Sequence, residues 1–181
     1  MKIKLLFYLF IISIFSACCH HVSKTNVESM EIDKKQVQEQ FIDANKKALE
    51  TESLQIDSLV RAKNWKVRQT ATGLRYFINK ENVKGKKGAE GMLAELEYEI
   101  KLIDETIVYS SKTDGIKKFV IGSGNVESGL EEGILLMHES ENYTFIIPSY
   151  LAHGLIGDQD KIPAKATLIY EVQLKKLHNP K

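Results

Sequence analysis

Residues 126–133 read Val-Glu-Ser-Gly-Leu-Glu-Glu-Gly and lie between two strand-like parts of the chain. Within them, Ser128 and Glu131 have the Ser-x-x-Glu spacing of a capping box, which satisfies amide donors at the start of a helix. Apolar side chains then recur at the spacing of one helix face, at Leu130, Ile134 and Met137. The stretch therefore predicts one short helix with a single buried face.

Strand-like stretches lie on both sides of this predicted helix. Residues 96–102 and 167–174 alternate apolar and polar side chains, which is typical of half-buried antiparallel strands. Further short strands are predicted over residues 74–78, 106–109, 119–121 and 143–147. Several strands around one helix, without regular βαβ alternation, predict an α+β fold in which a curved antiparallel sheet wraps on one short helix.

A longer helix is predicted before this body, over residues 33–66. The segment is rich in Lys, Glu, Gln and Ala and contains no Gly or Pro, which favours helix. Apolar residues form one narrow stripe along it, at Phe41, Ala44, Ala48, Ile56 and Leu59. Three interpretations stay open: the stripe packs on its own domain, on a second copy of the chain as a homodimer, or on a partner within a larger machine.

The N-terminus has the pattern of a secretory signal. Lys2 and Lys4 precede an apolar run over residues 5–15, which is shorter than the roughly 20 residues that span a bilayer. Ser16 and Ala17 then precede Cys18, and this junction resembles a bacterial lipobox, in which the Cys is acylated. We therefore expect a signal peptide over residues 1–17, lipid attachment at Cys18 and a tether over residues 18–32. A short membrane anchor is the alternative. The expected location is the bacterial cell envelope, lipid-anchored and facing the periplasm.

Charge and cysteine content narrow the function of the body. The net charge of +1 lacks the basic excess typical of nucleic-acid binding. Cys18 and Cys19 are the two cysteines of the chain, so the body has no disulfide, thiol nucleophile or cysteine metal cluster. The histidines form no metal-ligand pattern, and we expect neither a metal nor a cofactor.

Many short motifs, in order and spacing, resemble the FKBP family of peptidyl-prolyl cis-trans isomerases. The run at residues 126–133 is similar to the family's Val-Ile-x-Gly-Trp-Glu-Glu-Gly. Phe145-Ile-Ile-Pro148, Ala152-His-Gly154, Gly157, Ile162-Pro163 and the strand over residues 166–174 follow in family order. The similarity covers about residues 72–178. The layout of a lipoprotein helix joined to one such domain resembles the gliding-motility-associated FKBP-type lipoproteins of Bacteroidetes.

The resemblance implies a pocket that binds proline-containing protein substrates. The pocket positions that match the family are Tyr98, Tyr109, Val126, Leu130, Ile162 and Tyr170. It also implies that the backbone amide of Glu127 binds a substrate carbonyl and that His153 replaces a ligand-binding Tyr. The implied activity is cis/trans isomerisation of X-Pro bonds, which needs no nucleophile because the site prefers the twisted amide.

Several positions depart from the family pattern. Leu130 stands where the pocket floor is usually Trp, Ser110 replaces an Asp, and Lys117 falls at an apolar lining position. Tyr170 replaces a Phe, so its added hydroxyl must find a partner if it is buried. These departures predict reduced or altered activity. They also keep open a second interpretation, a non-catalytic peptide-binding chaperone or scaffold lipoprotein that uses the same fold.

Overall fold

A computed structural model of the chain describes residues 24–179, with side chains described from Lys34 onward. The predicted signal peptide over residues 1–17 and the predicted lipid attachment at Cys18 lie outside these residues and stay predictions. Within residues 24–179, no helix has both the length and the apolar character needed to cross a membrane.

The first element is helix α1, Lys24–Ala62. It begins inside the stretch predicted as a tether, since no Gly or Pro interrupts the chain there. It ends four residues before the predicted end at residue 66. Asn64 takes a left-handed conformation with φ 53°, and the Trp65 amide donates to the Val60 carbonyl at 3.0 Å. This is the geometry of a Schellman C-cap, which stops the helix before Trp65.

The chain divides into two compact units between Ala48 and Leu49. In the first unit, all side chains from Lys34 to Ala48 are exposed, and Phe41 is 66% exposed. In the second unit, Ile56 is fully buried. The stripe therefore lies in two environments: Ile56 is buried in the second unit, as the first of the three interpretations predicts for that end, while Phe41 lies on an exposed surface of the first unit.

The last turns of α1 are held in the second unit by polar contacts. The Glu52 carboxylate accepts hydrogen bonds from the Ser149 amide at 2.6 Å, the Ser149 hydroxyl at 2.9 Å and the Thr167 hydroxyl at 2.6 Å. Arg75 is 4% exposed and donates to Asp57 at 2.7 Å. Because both charges are satisfied, this part of α1 is an integral part of the domain.

Seven antiparallel strands form one sheet, in the order β1-β2-β6-β7-β3-β4, with β5 also paired to β3. Their bounds are β1 Arg68–Gln69, β2 Arg75–Lys80, β3 Leu93–Leu102, β4 Ile107–Ser110, β5 Lys117–Val120, β6 Asn142–Ile147 and β7 Leu168–His178. β3 pairs with β7 along its whole length, and its other edge is shared between β5 and β4. This arrangement is the α+β sheet that the alternating sequence pattern predicts.

Two short helices lie between the strands, α2 at Ser111–Asp114 and α3 at Ser128–Leu136, and a 3-10 turn covers Ser149–Leu151. Leu130 and Ile134 of α3 are fully buried in the core. A Cβ on Gly133 would lie 2.7 Å from the ring of Phe145, so the missing side chain lets α3 approach β6 closely.

The predicted capping box at the start of α3 was wrong. The N-cap is Glu127, without a side-chain cap, so Ser128 is already the first helical residue. The Ser128 hydroxyl donates instead to the Leu151 carbonyl at 3.3 Å, and Glu131 accepts from the Gly124 amide at 2.9 Å. Both side chains tie the helix start to neighbouring loops.

Candidate active site

Two tyrosine rings from adjacent strands form the centre of the site. Tyr98 on β3 and Tyr170 on β7 have ring centroids 5.9 Å apart at an angle of 46°. Tyr170 is fully buried, whereas Tyr98 is half-buried. The pair forms an aromatic wall that is rigid because both residues lie in the middle of a long strand pair.

The ammonium group of Lys117 lies over both rings. Its Nζ atom is 5.1 Å from the centroid of Tyr98 and 5.5 Å from that of Tyr170. It also donates to the Tyr170 hydroxyl at 2.8 Å. The extra hydroxyl on this buried ring therefore has the partner that its burial requires, and that partner is the lysine at the atypical position of the pocket.

A cavity of about 360 Å³ is lined in part by Lys117, the residue that lies over the tyrosine pair. Val126, Glu127 and His153 line it, together with Lys117, Gly124, Asn125 and Ala152. His153 Nε2 lies 3.2 Å from Glu127 Oε1. The structure thus brings Val126, Glu127 and His153, three of the predicted site residues, around one concave space.

The start of α3 offers a free backbone donor at this cavity. The Glu127 carbonyl accepts from the Leu130 and Glu131 amides, which opens the helix. Within residues 24–179, the Glu127 amide itself donates to no acceptor. Unpaired amides at a helix N-terminus attract a carbonyl or an anion. This geometry fits the predicted role of the Glu127 amide in binding a substrate carbonyl.

A second group joins Tyr109 to Ile162. The Tyr109 hydroxyl donates to Asp158 Oδ2 at 2.5 Å, while Asp158 Oδ1 accepts from the Ile162 amide at 2.8 Å. Ile162 is 3% exposed and belongs to the core. Asp158 was missed by the sequence analysis, although its place in the turn Gly157-Asp-Gln-Asp160 is a signal for side-chain to backbone bonding. It fixes the segment that carries Ile162 against β4.

Leu130 and Val126 occupy different depths. Leu130 is fully buried within the core beneath the site, whereas Val126 is half-buried and lines the cavity. Ser110 caps α2 by accepting from the Lys112 amide at 3.3 Å. Its other described hydrogen bonds are to Asp114 and Thr113, so it holds α2 and does not bond to the tyrosine pair. The apolar positions taken from the resemblance therefore divide into cavity wall and underlying core.

The surroundings raise the pKa of each tyrosine. Burial first, then the nearby carboxylates of Asp114 and Glu127, raise the pKa of Tyr98. Burial also raises the pKa of Tyr170, followed by the charge of Glu127. The hydrogen bond to Asp158 is the main cause that raises the pKa of Tyr109. All three rings thus stay neutral, as an apolar binding site requires.

Within residues 24–179, no group of three or more His, Cys, Asp or Glu side chains is placed to hold a metal ion.

Comparisons with known proteins place this geometry in a family. A family model for FKBP-type peptidyl-prolyl cis-trans isomerases matches residues 84–175. The chain is 40% identical over 114 residues to a probable FKBP-type peptidyl-prolyl cis-trans isomerase, FkpA of Neisseria meningitidis serogroup B, covering 63% of this chain and 41% of the relative. It is 34% identical over 111 residues to FKBP2 of Mus musculus, covering 61% of this chain and 77% of that protein. The chain thus spans less than half the length of the Neisseria relative.

Solved structures agree at the level of the fold. The crystal structure of FkpA from Escherichia coli superposes with a TM-score of 0.64 at 22% identity, over 98% of this chain and 83% of that one. AtFKBP13 superposes with a TM-score of 0.59 at 26% identity, over 62% of this chain and 99% of that one. The predicted FKBP-like sheet with its short helix and preceding long helix is confirmed. The chain belongs to the FKBP-type peptidyl-prolyl cis-trans isomerase family.

Proposed function

We propose that the chain catalyses cis/trans isomerisation of X-Pro bonds and so assists folding or assembly of envelope proteins. The observation that supports the activity is the aromatic pair Tyr98 and Tyr170, which Lys117 connects to the cavity that Glu127 lines. An aromatic surface with one fixed donor is suited to a prolyl ring and a neighbouring carbonyl.

The mechanism needs no covalent chemistry. Resonance gives the prolyl bond a rotation barrier of about 18–20 kcal/mol, and the planar form is the more polar one. An apolar pocket stabilises this planar form less well than water does, so it favours the twisted amide. Tyr98 and Val126 supply the apolar surface, with the buried Tyr170 ring packed against Tyr98, and the Glu127 amide holds a carbonyl in place. Lowering the barrier by about 5–6 kcal/mol would accelerate the reaction roughly 10⁴-fold.

Refolding of a protein limited by one X-Pro isomerisation tests this proposal in a natural substrate. The slow phase, tens to hundreds of seconds without a catalyst, is expected to shorten in proportion to the concentration of the chain. A slow phase whose rate is independent of that concentration would count against the enzymatic proposal.

We also propose that the protein is a lipoprotein held in the envelope through acylated Cys18 and facing the periplasm. The support is the sequence of residues 1–18, with its basic start, apolar run and Ser-Ala-Cys junction. Labelled palmitate is expected in the wild-type protein in cells and absent from Cys18→Ser. A labelled Cys18→Ser protein would show that acylation occurs at another residue and would contradict this assignment.

The exposed apolar side chains of the first unit suggest a partner surface. Val37 is 45% exposed, Phe41 66% and Ile42 56%, all within two turns of α1. We propose that this surface pairs with a second copy or with an envelope machine, and that the machine is the gliding-motility apparatus suggested by the resemblance. Light scattering tests the first case: Phe41→Glu is expected to halve the mass of a dimer. Loss of surface spreading in a deletion strain of the host tests the second.

A non-catalytic peptide-binding chaperone or scaffold is the second candidate. It is favoured by one observation, the Lys117 ammonium that lies over both tyrosine rings where a prolyl ring would otherwise pack. A chain of this kind would bind proline peptides and suppress aggregation of unfolded protein without changing the rate of isomerisation.

A further inference from the structure

The side chain of Glu127 is an unusual component of the cavity wall. It is 7% exposed, and its Oε1 atom lies 3.2 Å from His153 Nε2. Its Oε2 atom is buried and has no hydrogen-bond partner among the described residues. A buried carboxylate oxygen without a donor is costly, and natural structures rarely leave one without a reason. Because Glu127 lines the 360 Å³ cavity, a bound ligand can supply the missing donor.

Lys117 does not fill this role. Its Nζ atom is 3.8 Å from Glu127 Oε2, beyond hydrogen-bonding distance. The same ammonium group already donates to the Tyr170 hydroxyl at 2.8 Å and lies over two aromatic rings. Lys117 therefore reduces the charge of Glu127 only at a distance and leaves the lone pairs of Oε2 free.

The charges around the site favour a cationic ligand over a neutral or anionic one. Four carboxylates lie close enough to Tyr98 or Tyr109 to raise the pKa of its hydroxyl: Asp114, Glu127, Asp158 and Asp160. Two ammonium groups, those of Lys117 and Lys161, lie over the rings of the same tyrosines. An incoming ammonium or guanidinium group is therefore attracted before it contacts Glu127.

We propose that Glu127 is a specificity-determining residue that selects X-Pro substrates with a Lys or Arg directly next to the proline. The inference rests on the proposed isomerase function of the same site. The Glu127 amide positions a substrate carbonyl, so the substrate side chains on either side of that carbonyl lie close to the Glu127 carboxylate. One of them donates to Oε2 and completes the hydrogen bonding that the free protein lacks.

The test compares peptides rather than absolute rates. The full chain in mild detergent is assayed with proline tetrapeptides in two series, with Lys, Arg, norleucine or Glu before the proline and with the same residues after it. We expect kcat/KM for Lys and Arg to exceed that for norleucine by about tenfold in one series, the size expected of one charge-assisted hydrogen bond. Glu peptides are expected to be the poorest substrates, and the preference for Lys is expected to weaken at high salt.

Glu127→Gln keeps the shape and removes the charge, so it is expected to bring the Lys to norleucine ratio close to one. Glu97→Gln is the matched control, because Glu97 adjoins Tyr98 on the opposite face of β3 and pairs with Lys175 at 3.2 Å. It is expected to keep the wild-type ratio. Isomerisation of all peptides without a Lys preference, or a preference that survives in Glu127→Gln, would overturn the inference alone. Absence of acceleration with every peptide would instead overturn the proposed isomerase function.

Discussion

Lys117→Met tests whether the ammonium over the tyrosine rings obstructs the prolyl ring. In the wild-type protein, a prolyl ring that displaces the ammonium breaks its charge-assisted hydrogen bond to Tyr170, worth about 1.5–3 kcal/mol. It also breaks two cation–π contacts worth about 0.5–1 kcal/mol each. Because the Lys117 side chain is already 25% exposed, its rehydration recovers most of this free energy. The remaining net cost of displacing the ammonium, about 1 kcal/mol, lowers kcat/KM of the wild-type protein roughly fivefold.

Methionine keeps the length of the side chain and makes it apolar, so the prolyl ring no longer displaces a charge. We expect kcat/KM for a Leu-Pro tetrapeptide to rise about fivefold in Lys117→Met, mainly through a lower KM. The assay is the relaxation of the cis peptide after a solvent jump, followed by absorbance. Thermal unfolding of the same samples checks that each variant is folded.

Lys118→Met is the matched control for this prediction. Lys118 is the next residue of β5, half exposed, and paired with Glu95 at 2.9 Å on the other side of the strand. Its replacement is expected to leave kcat/KM unchanged. An unchanged or lower kcat/KM in folded Lys117→Met would refute the idea that the ammonium competes with substrate, and would assign Lys117 a supporting role in binding.

Three further changes probe the scaffold. Gly133→Ala places a Cβ against the Phe145 ring and is expected to lower the free energy of unfolding by about 1–3 kcal/mol in urea titrations; wild-type stability would show that α3 can move away from β6. Glu141 is 1% exposed; burial alone would raise its pKa, but amide hydrogen bonds from Asn82 and His138 outweigh this and hold the pKa below its usual range. A carboxyl group whose pKa is lower in the folded state stabilises the protein at pH values above its unfolded pKa of about 4.3, and this stabilisation is lost as the pH falls through the folded pKa. The difference in unfolding free energy between wild type and Glu141→Gln should therefore narrow in acid. A difference that stays constant with pH would contradict this. Asp158→Asn replaces the charged acceptor that chiefly raises the pKa of Tyr109 with a neutral amide, so ultraviolet titration should find that pKa closer to about 10. An unchanged titration would mean that burial dominates instead.

The sheet could be predicted because β3 and β7 alternate apolar and polar residues, so that one face of each strand must be buried. Leu96 and Ile100 on β3, and Leu174 on β7, are buried as the alternation of the sequence requires. The end of α1 could not be predicted, because it depends on Asn64 taking a left-handed conformation that other residue types also reach at lower frequency. The split of the apolar stripe was equally hidden, since the spacing of Phe41 and Ile56 says nothing about which end meets a sheet.

The site could be predicted in part. Resemblance identified the tyrosine wall and the Glu127 amide, which the fold places by backbone position alone. The polar contacts were not predictable, since Lys117 on β5 reaches Tyr170 on β7 across β3, and Asp158 reaches Tyr109 from a loop 49 residues away. Such contacts depend on three-dimensional proximity between residues that share no sequence pattern.

Catalysed relaxation of proline tetrapeptides is the most direct test of the central claim that the Tyr98–Tyr170 site isomerises X-Pro bonds. Without catalyst the relaxation takes tens to hundreds of seconds. The wild-type chain is expected to accelerate it in proportion to its concentration, and Tyr98→Ala is expected to abolish the acceleration while unfolding at nearly the same temperature, because Tyr98 is half-buried. Acceleration that survives in Tyr98→Ala, or its absence from folded wild-type protein with every peptide tested, would contradict the assignment of isomerase activity to this site.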